Sequence, residues 1–207
     1  MEVNLINLVE RYSDDVKCRK HLEKLKWPEG VKCPRCTSEK ISRIVNRDQF
    51  DCDSCRYQFS VTAGSIFDGT HLPLWKWFLV VYLMVESKKG VSANQLKRTL
   101  AISYKTAWYL CHRVRKAMTE VNPPKLSEEE WVRGDVHTNG TEGVWSLFKR
   151  SIVGSYHQIS AKHMDAYLDE FEWRLNQREN PYLFRDTLIR LLNTPKMEFK
   201  ELIEKGA

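Results

Sequence analysis

Two pairs of cysteines constrain the fold of this chain more than any other feature of its sequence. Within each pair two residues separate the members, Cys33 from Cys36 and Cys52 from Cys55. This spacing lets both sulfurs of a pair face one ion from a tight turn, and two such pairs complete a tetrahedral four-thiolate zinc site. The fifteen residues between the pairs are enough for a β-hairpin that brings the second turn back to the first. We therefore predict a zinc ribbon.

Disulfide bonds and unrelated buried thiols are the alternatives for these four cysteines, and the repeated spacing favours the metal site over both. A four-thiolate zinc keeps no position for water or substrate, so we expect a structural metal. The other two cysteines, Cys18 and Cys111, lie in helical patterns and are predicted to be small core residues. Free thiols beside a thiolate metal site indicate a reducing compartment, and we expect a cytoplasmic protein.

The length and the apolar pattern limit the class of protein. The chain has 207 residues, of which 42% are hydrophobic, and this favours two or three small units over one large domain. Its longest apolar run, residues 77–85, is far shorter than the roughly 20 residues that span a bilayer. Residues 1–30 lack the pattern of a secretory leader. We expect a protein that neither crosses a membrane nor is secreted.

Positive charge is concentrated in one segment of the chain. The formal net charge of the whole chain is +6, and residues 86–120 alone carry eight basic and two acidic side chains. A basic stretch confined to one subdomain is typical of a surface that contacts the phosphate backbone of nucleic acid. The alternative is an ordinary solvated helix surface.

The same basic segment has the pattern of two helices joined by a short turn. An earlier helix begins at Pro73 and ends at Gly90. Ser92, with Gln95 three residues later, marks the start of a short helix, and Ser103 is predicted to cap the next one after a three-residue turn. This order is typical of a helix-turn-helix, although a three-helix bundle that binds nothing has the same pattern.

The second helix of this pair is the predicted recognition helix. Its apolar positions recur at helical spacing and are predicted to be buried: Ala107, Cys111, Val114 and Met118. The side chains predicted to lie on the opposite, DNA-facing side are Lys105, Thr106, Tyr109, His112, Arg113 and Lys116. In a major groove the first three of these would reach base edges, whereas Arg113 and Lys116 would contact phosphates.

Several stretches of the chain, in the same order, resemble the ISXO-like family of bacterial insertion-sequence transposases. They lie at residues 64–78, 87–92, 103–108, 133–139, 142–150, 154–157, 167–171 and 174–178. In that family a zinc ribbon precedes a DDE-type nuclease domain, so the resemblance implies DNA transposition as the family's activity. It also implies double-stranded DNA with terminal inverted repeats as the partner, and a homodimer is a further expectation.

The resemblance also implies a catalytic site. In the family, two aspartates and a third residue, Glu or Asn, hold Mg²⁺ on a ribonuclease-H-like sheet and the helix that follows it. Glu142 matches the third position, Asn139 is the other candidate, and Lys149 matches a basic residue that lies near the DNA end.

The first two aspartates have no match in this chain. About a dozen residues without strand pattern separate the recognition helix from residue 133, whereas the missing strands and helices need on the order of a hundred. Asp135 belongs to the approach to the third position, and we interpret it as a loop or capping residue. We therefore predict an internally deleted copy of the transposase.

The C-terminal part of the chain is predicted to be helical. Met164, Leu168, Phe171 and Leu175 form one apolar stripe, and a further helix follows Pro181. The metal-ligand interpretation of His157 and His163 is disfavoured, because no second ligand stands four residues further along the same helix face.

The predicted fold is mainly α with a small β zinc ribbon, and its helix-turn-helix unit is followed by C-terminal helices left from a ribonuclease-H-like domain. The predicted segments are N-terminal helices at 1–28, the ribbon at 29–68, the helix-turn-helix unit at 70–120, a linker at the deletion at 121–132, and a helical remnant at 133–207.

Two functions from different classes follow, with a third that is weaker. The first is a DNA-binding protein that recognises insertion-sequence ends through residues 29–120 and cannot cut or join strands. The second is an active DDE-type transposase that uses Mg²⁺, completed by another chain or by Asp135 and Glu142. The third is a zinc-ribbon transcription regulator. The expected metal is structural zinc, and the expected location is the bacterial cytoplasm in association with the nucleoid.

Overall fold

The computed structural model describes residues 4–119 and 139–204. The side chains at 139–142 and at 204 are not described. The predicted linker at 121–132 and Asp135 lie outside the described residues. Within them the architecture is mainly helical with one small three-stranded sheet, which confirms the coarse fold prediction.

Nine α-helices and three β-strands are present in these two described ranges. The helices are α1 (Leu5–Arg11), α2 (Asp15–Lys26), α3 (Leu74–Glu86), α4 (Ala93–Leu100), α5 (Tyr104–Met118), α6 (Asn139–Ser151), α7 (Met164–Asn176), α8 (Leu183–Asn193) and α9 (Phe199–Glu204). The strands are β1 (Ile41–Ile44), β2 (Gln49–Cys52) and β3 (Gln58–Phe59).

The chain divides into two compact units. The first unit comprises Met1–Tyr82 and Pro181–Glu198, and the second comprises Leu83–Asn180 and Phe199–Ala207. The boundary between them falls within α3. These two units do not test the five segments predicted from the sequence, and that division stays a prediction.

The first unit begins with two short capped helices, as predicted. Asn4 accepts a hydrogen bond from the Asn7 N–H at 2.8 Å, and Asp14 accepts one from the Lys17 N–H at 2.8 Å. Such side-chain acceptors satisfy N–H groups that have no partner inside a helix, so each helix starts at a defined residue. On α2, Cys18 is fully buried, which confirms its prediction as a core residue.

The three strands form an antiparallel sheet in the order β1-β2-β3. Ile41 pairs with Cys52, and Phe50 pairs with Phe59. The turn between β1 and β2 is closed by Asp48, which has the left-handed backbone conformation that aspartate tolerates better than most residues. The hairpin predicted between the two cysteine pairs is therefore confirmed.

An aromatic cluster packs one face of the sheet. The ring of Trp27, which follows α2, lies edge-on to Phe50 at 5.4 Å and to Phe59 at 5.9 Å. On the same side, the guanidinium of Arg43 contacts both carboxylate oxygens of Glu23 at 3.1 and 3.2 Å. Helix α2 is thereby fixed to the ribbon by apolar packing and by a two-point ion pair.

In the second unit, α4 and α5 begin and end where their capping residues predict. Ser92 accepts from the Gln95 N–H at 3.2 Å, and Ser103 accepts from the Thr106 N–H at 3.1 Å. Ala101 closes α4 in the left-handed conformation with φ 50°. The two helices are thus joined by the three-residue turn expected from the sequence.

The environment of α5 differs from the expectation of one buried stripe. The predicted apolar positions Ala107, Cys111, Val114 and Met118 are all buried. His112, Arg113 and Arg115 are buried as well, at 1%, 5% and 1% exposure. Helix α7 packs against α5, and contacts from it bury part of the side that amphipathic periodicity assigns to solvent.

Helix α6 packs on α7 and ends in an unusual turn. Phe148 lies 5.3 Å from the ring of Phe171. The last turn continues as a π-helix over Ile152–Tyr156, and His157 follows it with φ 60°. A π-helical turn is wider than an α-helical one, and Tyr156 is the last residue of this turn.

Candidate metal centre and nucleic-acid interface

The structure brings the four predicted cysteine ligands together. Their Sγ atoms all lie within 4.8 Å of one another. The shortest separations are 3.6 Å between Cys33 and Cys55 and 3.5 Å between Cys36 and Cys52. A zinc–sulfur bond of about 2.3 Å places tetrahedral sulfurs about 3.8 Å apart, whereas a disulfide requires about 2.05 Å. The spacing therefore fits one shared zinc ion.

The two cysteine turns have matching backbones. The residue after the second cysteine of each pair is left-handed, Thr37 with φ 59° and Arg56 with φ 55°. The Thr37 N–H donates to the Cys33 carbonyl at 2.9 Å, and the Arg56 N–H donates to the Cys52 carbonyl at 2.7 Å. Each pair of sulfurs is therefore presented by the same rigid turn.

Backbone N–H groups point at the sulfur atoms in both turns. The Arg35 N–H lies 3.4 Å from Cys33 Sγ. The N–H of Ser38 donates to Cys36, and the N–H of Tyr57 donates to Cys55. Each of these donors favours the thiolate, which is the form that binds metal. At Cys36 hydrogen bonds with the neighbouring thiols outweigh the donor and raise the pKa to about 12, and at Cys55 burial raises the pKa.

Cys52 is the cysteine most strongly prepared for metal binding. Burial raises the pKa of its thiol, but the N–H groups of Cys55 and Ser54, with side-chain hydrogen bonds from Cys36 and Cys55, outweigh burial and lower the pKa to about 6. A thiolate is therefore present at neutral pH, and a metal ion needs to displace fewer protons.

The centre suits a structural role. Cys33 and Cys52 lie in the core cluster with Phe50 and Phe59, so the metal site is continuous with the apolar interior of the ribbon. Four thiolates saturate a tetrahedral zinc and keep no position for a reactant. Bound zinc would cross-link the two turns, which the sequence separates by a hairpin.

The predicted DNA-facing residues of α5 do not share one environment. Lys105 and Thr106 are exposed, Tyr109 and Lys116 are half-buried, and His112 and Arg113 are buried. The expectation that all of them lie on an exposed side is therefore wrong for the last two.

The His112 ring is enclosed by aromatic neighbours. It lies 4.4 Å from the ring of Trp108, 4.7 Å from that of His163 and 5.7 Å from that of Tyr167. Burial, together with the nearby charges of Arg115 and His163, lowers the pKa of His112 to about 3. The imidazole is therefore neutral and acts as a packing residue.

The exposed positive charge of this segment lies mainly on α4 and in the loop before it. The exposed basic side chains here are Lys88, Lys89, Lys97 and Arg98. The sequence analysis counted these residues in the net charge of the basic segment. It named candidate DNA-binding residues only on α5. A helical projection of α4 could have found Lys97 and Arg98, because Leu96 and Leu100 mark its buried side.

A buried ion network in the second unit was not predicted. Glu170 is fully buried, and its carboxylate lies 2.6 Å from Arg115 Nε and 3.4 Å from Arg174 Nε. It also accepts a hydrogen bond from the Tyr156 hydroxyl at 3.0 Å. Arg174 donates to the Ser87 carbonyl. Each charge has an opposite charge or a dipole beside it, which is the condition for ions to be stable away from water.

The position of Tyr156 in this network explains why residue 90 is a glycine. Gly90 has φ +77°, and a Cβ at this position would lie 1.7 Å from the Tyr156 hydroxyl oxygen. The loop at 87–92 and the π-helical turn at the end of α6 therefore contact each other only because residue 90 has no side chain. Several stretches that carry the family resemblance meet at this point of the second unit.

The residues predicted to be the remnant of a catalytic site lie on α6. Asn139 and Glu142 belong to its first turns, but their side chains are outside the description. Lys149 is exposed. Trp145 on α6 and Val153 in the π-helical turn after it are 53% and 74% exposed, and Trp145 lies on the same side of α6 as Lys149, four residues before it. Every strand in the described part of the chain belongs to the ribbon.

No helix in the described ranges combines the length and the apolar character needed to cross a membrane.

Two domain models from one transposase family match the chain. A transposase zinc-ribbon domain matches residues 13–58, which contain α2 and both cysteine pairs. An ISXO2-like transposase domain matches residues 105–176, from the start of α5 to the end of α7. Together the two matches cover more than half of the chain.

A curated relative supports the same family. An uncharacterized protein in transposable element ISH50 of Halobacterium salinarum is 30% identical over 105 residues, which are 49% of this chain and 35% of that protein. The matched region thus spans about a third of the length of this relative. No solved structure matches the chain significantly. With a ribbon and a transposase domain matched in that order, the chain belongs to the ISXO2-like family of insertion-sequence transposases.

Proposed function

We propose that this chain binds the ends of an insertion sequence through a helix-turn-helix formed by α4 and α5, and that it does not cleave or join DNA strands by itself. The observation that carries the proposal is the exposure of the basic side chains Lys97, Arg98 and Lys105 on a pair of capped helices. A homodimer on paired inverted repeats, in the bacterial cytoplasm and near the nucleoid, belongs to the same proposal.

The start of α5 is suited to meet DNA. Ser103 caps the helix, and the exposed residues of its first turn are Tyr104, Lys105 and Thr106. The N-terminal end of a helix carries partial positive charge, and first-turn side chains reach base edges when a recognition helix enters the major groove. On α4, Lys97 and Arg98 are available for phosphate contacts, which position the protein without reading sequence.

The absence of a nuclease sheet from the described residues supports the second half of the proposal. All strands at 4–119 and 139–204 lie between residues 41 and 59. The internal stretch outside the description, 120–138, is far shorter than the roughly hundred residues that such a sheet and its helices need. Glu142 alone would hold Mg²⁺ weakly, because this ion keeps most of its water unless several oxygens converge on it.

Exposed apolar residues on α6 and in the turn after it are consistent with a lost sheet. Trp145 and Val153 present large apolar surfaces to solvent. In an α/β domain the apolar side of a helix is covered by the sheet on which it packs. Loss of that sheet by an internal deletion accounts for exposed apolar residues beside a charged Lys149.

The purified, zinc-loaded chain tests both halves of the proposal. Fluorescence anisotropy with an insertion-sequence end and with a scrambled duplex should give tighter binding to the end sequence. Lys105→Ala should reduce the difference between the two duplexes by about 1–3 kcal/mol if Lys105 reads a base. Lys97→Ala should weaken both alike and reduce the salt slope by about one phosphate.

The same protein should neither nick the end sequence nor join it to a target in Mg²⁺ or Mn²⁺. Glu142→Gln should leave DNA binding unchanged. Metal-dependent cleavage that disappears in Glu142→Gln would instead support an active transposase, whose remaining carboxylates come from another chain.

A further inference from the structure

We propose that helix α9 covers the DNA-facing side of α5 and has to leave it before that side can enter a groove. This inference rests on the proposed DNA-binding function of α5. Helix α9 (Phe199–Glu204) belongs to the same compact unit as α5. Its contacts fall on three of the side chains that the sequence assigns to the recognition surface.

Phe199 contacts the N-terminal half of this surface, although Lys105 stays partly open to solvent. The Lys105 ammonium lies over the Phe199 ring at 4.6 Å from its centroid. The rings of Tyr109 and Trp108 lie edge-on to Phe199 at 5.5 and 6.2 Å. A duplex that reached Lys105 and Tyr109 with its base edges would occupy the position that Phe199 holds.

Glu201 covers the C-terminal half. Its carboxylate lies 3.5 Å from Lys116 Nζ. A carboxylate beside a lysine occupies the place that a phosphate oxygen would take in a DNA complex, so α9 and the DNA backbone compete for the same cation. One helix therefore blocks both the base-reading and the phosphate-contacting ends of α5.

The helix is held in place but not tightly. Leu202 is buried, and Lys162 donates a hydrogen bond to the Ile203 carbonyl at 3.2 Å. A helix of six residues is marginal on its own, because isolated helices shorter than about 12–15 residues barely form in water. The Lys116–Glu201 pair is partly exposed, and such pairs contribute little stability. Release of α9 is therefore a modest cost that several phosphate contacts can offset.

The basic residues of α4 provide a second set of cations in the same unit. Lys97 and Arg98 stay exposed while α9 is in place. DNA can first bind these residues through its phosphates without sequence preference, and α9 then separates from α5 as the helix enters the groove. In this scheme α9 reduces the apparent affinity by the fraction of molecules in which it is released.

Phe199→Ala tests the inference in the full chain. It should raise the affinity for the insertion-sequence end by roughly three- to tenfold, because more of the protein has α5 uncovered. Ile203→Ala is the matched control, since this side chain lies on the same helix but is 54% exposed. The control should leave the affinity unchanged. Retained zinc and an unchanged melting temperature show that both variants are folded.

A second variant removes the competing charge. Glu201→Gln should raise the affinity and strengthen its salt dependence, because Lys116 becomes free to contact a phosphate. Glu172→Gln removes a negative charge from an exposed position on α7 and measures the effect of net charge alone. The gain for Glu201→Gln should exceed the gain for Glu172→Gln by about threefold or more.

Hydrogen exchange provides a readout that does not depend on affinity. Addition of saturating end-sequence DNA should accelerate exchange of the amides of α9 while it slows exchange at the start of α5. If wild type binds in a Lys105-dependent way but Phe199→Ala and Glu201→Gln bind no more tightly than their controls, the inference is wrong and the DNA-binding proposal stands. If neither wild type nor any variant binds the duplex, both proposals fail.

Discussion

The Glu170 carboxylate lies 2.6 Å from Arg115 Nε, and neither side chain is exposed by more than 1%. A buried ion pair of this kind holds two helices in one register, but it is stable only while both charges are present. The apolar stripe predicted for α7 does not include Glu170, so the sequence pattern does not reveal its importance.

Glu170→Ala should destabilise the protein by about 3–5 kcal/mol, because Arg115 and Arg174 would stay buried without their counter-charge. The control is Glu172→Ala, two residues along the same helix and exposed, which should change the free energy of unfolding by less than about 0.5 kcal/mol. Chemical denaturation measures both. Equal effects of the two substitutions would contradict the role assigned to Glu170.

Gly90→Ala should destabilise the protein by more than its backbone conformation alone explains. Gly64 is the matched control, because its φ of +72° is close to the +77° of Gly90 but nothing lies within 4 Å of a Cβ there. Gly64→Ala should cost about 1–2 kcal/mol from the left-handed conformation. Gly90→Ala adds the clash with Tyr156, so the loss of stability measured by calorimetry should be clearly larger. A loss no larger than that of Gly64→Ala would contradict the contact between residue 90 and Tyr156.

Cys36→Ser should release zinc and expose residues 30–60 to protease, because metal binding and folding are coupled in so small a unit. Arg35→Ala is the control, since this exposed residue lies in the same turn and contributes its backbone N–H to the site. It should bind one zinc per chain, as wild type should. Stoichiometric zinc in Cys36→Ser would show that the four cysteines do not share one ion.

Zinc affinity should fall as the pH drops from 8 to 5, because binding requires four thiolates and acid protonates them. The folded-state pKa of Cys52 is lowered to about 6, so its thiolate persists above that pH and is lost as acid protonates it. Protons then compete directly with the metal for sulfur. Chelator competition between pH 5 and pH 8 measures the dependence, and equal affinities at pH 5 and pH 7 would contradict the thiolate assignment.

Acid should also destabilise the second unit through His112. Its folded-state pKa is lowered to about 3 by burial, so between its ordinary value of 6.5 and pH 3 the unfolded chain binds a proton that the folded chain does not. Stability therefore falls as the pH drops through this window. His112→Phe should flatten the dependence of the melting temperature on pH, whereas His71→Gln, at an exposed position, should leave it unchanged.

The features that sequence predicted well are those that short spacing determines. Two CxxC pairs identified the metal ligands, and Ser92 and Ser103 identified the starts of α4 and α5, because capping and chelation depend on residues only two or three apart. The fold class and the family followed from these local patterns and from the matching stretches.

The features that sequence missed depend on contacts between distant residues. Helical periodicity places Arg113 and His112 on a polar side, whereas the structure buries both, and the rings of His163 and Tyr167 help to enclose His112. The ion-pair partner of Arg115 is Glu170, 55 positions away on another helix. The periodicity of α5 gives no sign that these two charges meet in a buried network. The contact between Phe199 and Lys105 is likewise invisible to any local pattern.

The position of Cys52 at the end of β2 links the metal to the pairing of the sheet. In the observed register Cys52 lies opposite Ile41, and side chains alternate between the two faces of a strand. A slip by one residue would turn Cys52 to the other face and carry its sulfur away from Cys33, Cys36 and Cys55. A misaligned hairpin therefore cannot complete the four-sulfur shell. Zinc binding would stabilise only the sheet with the observed register.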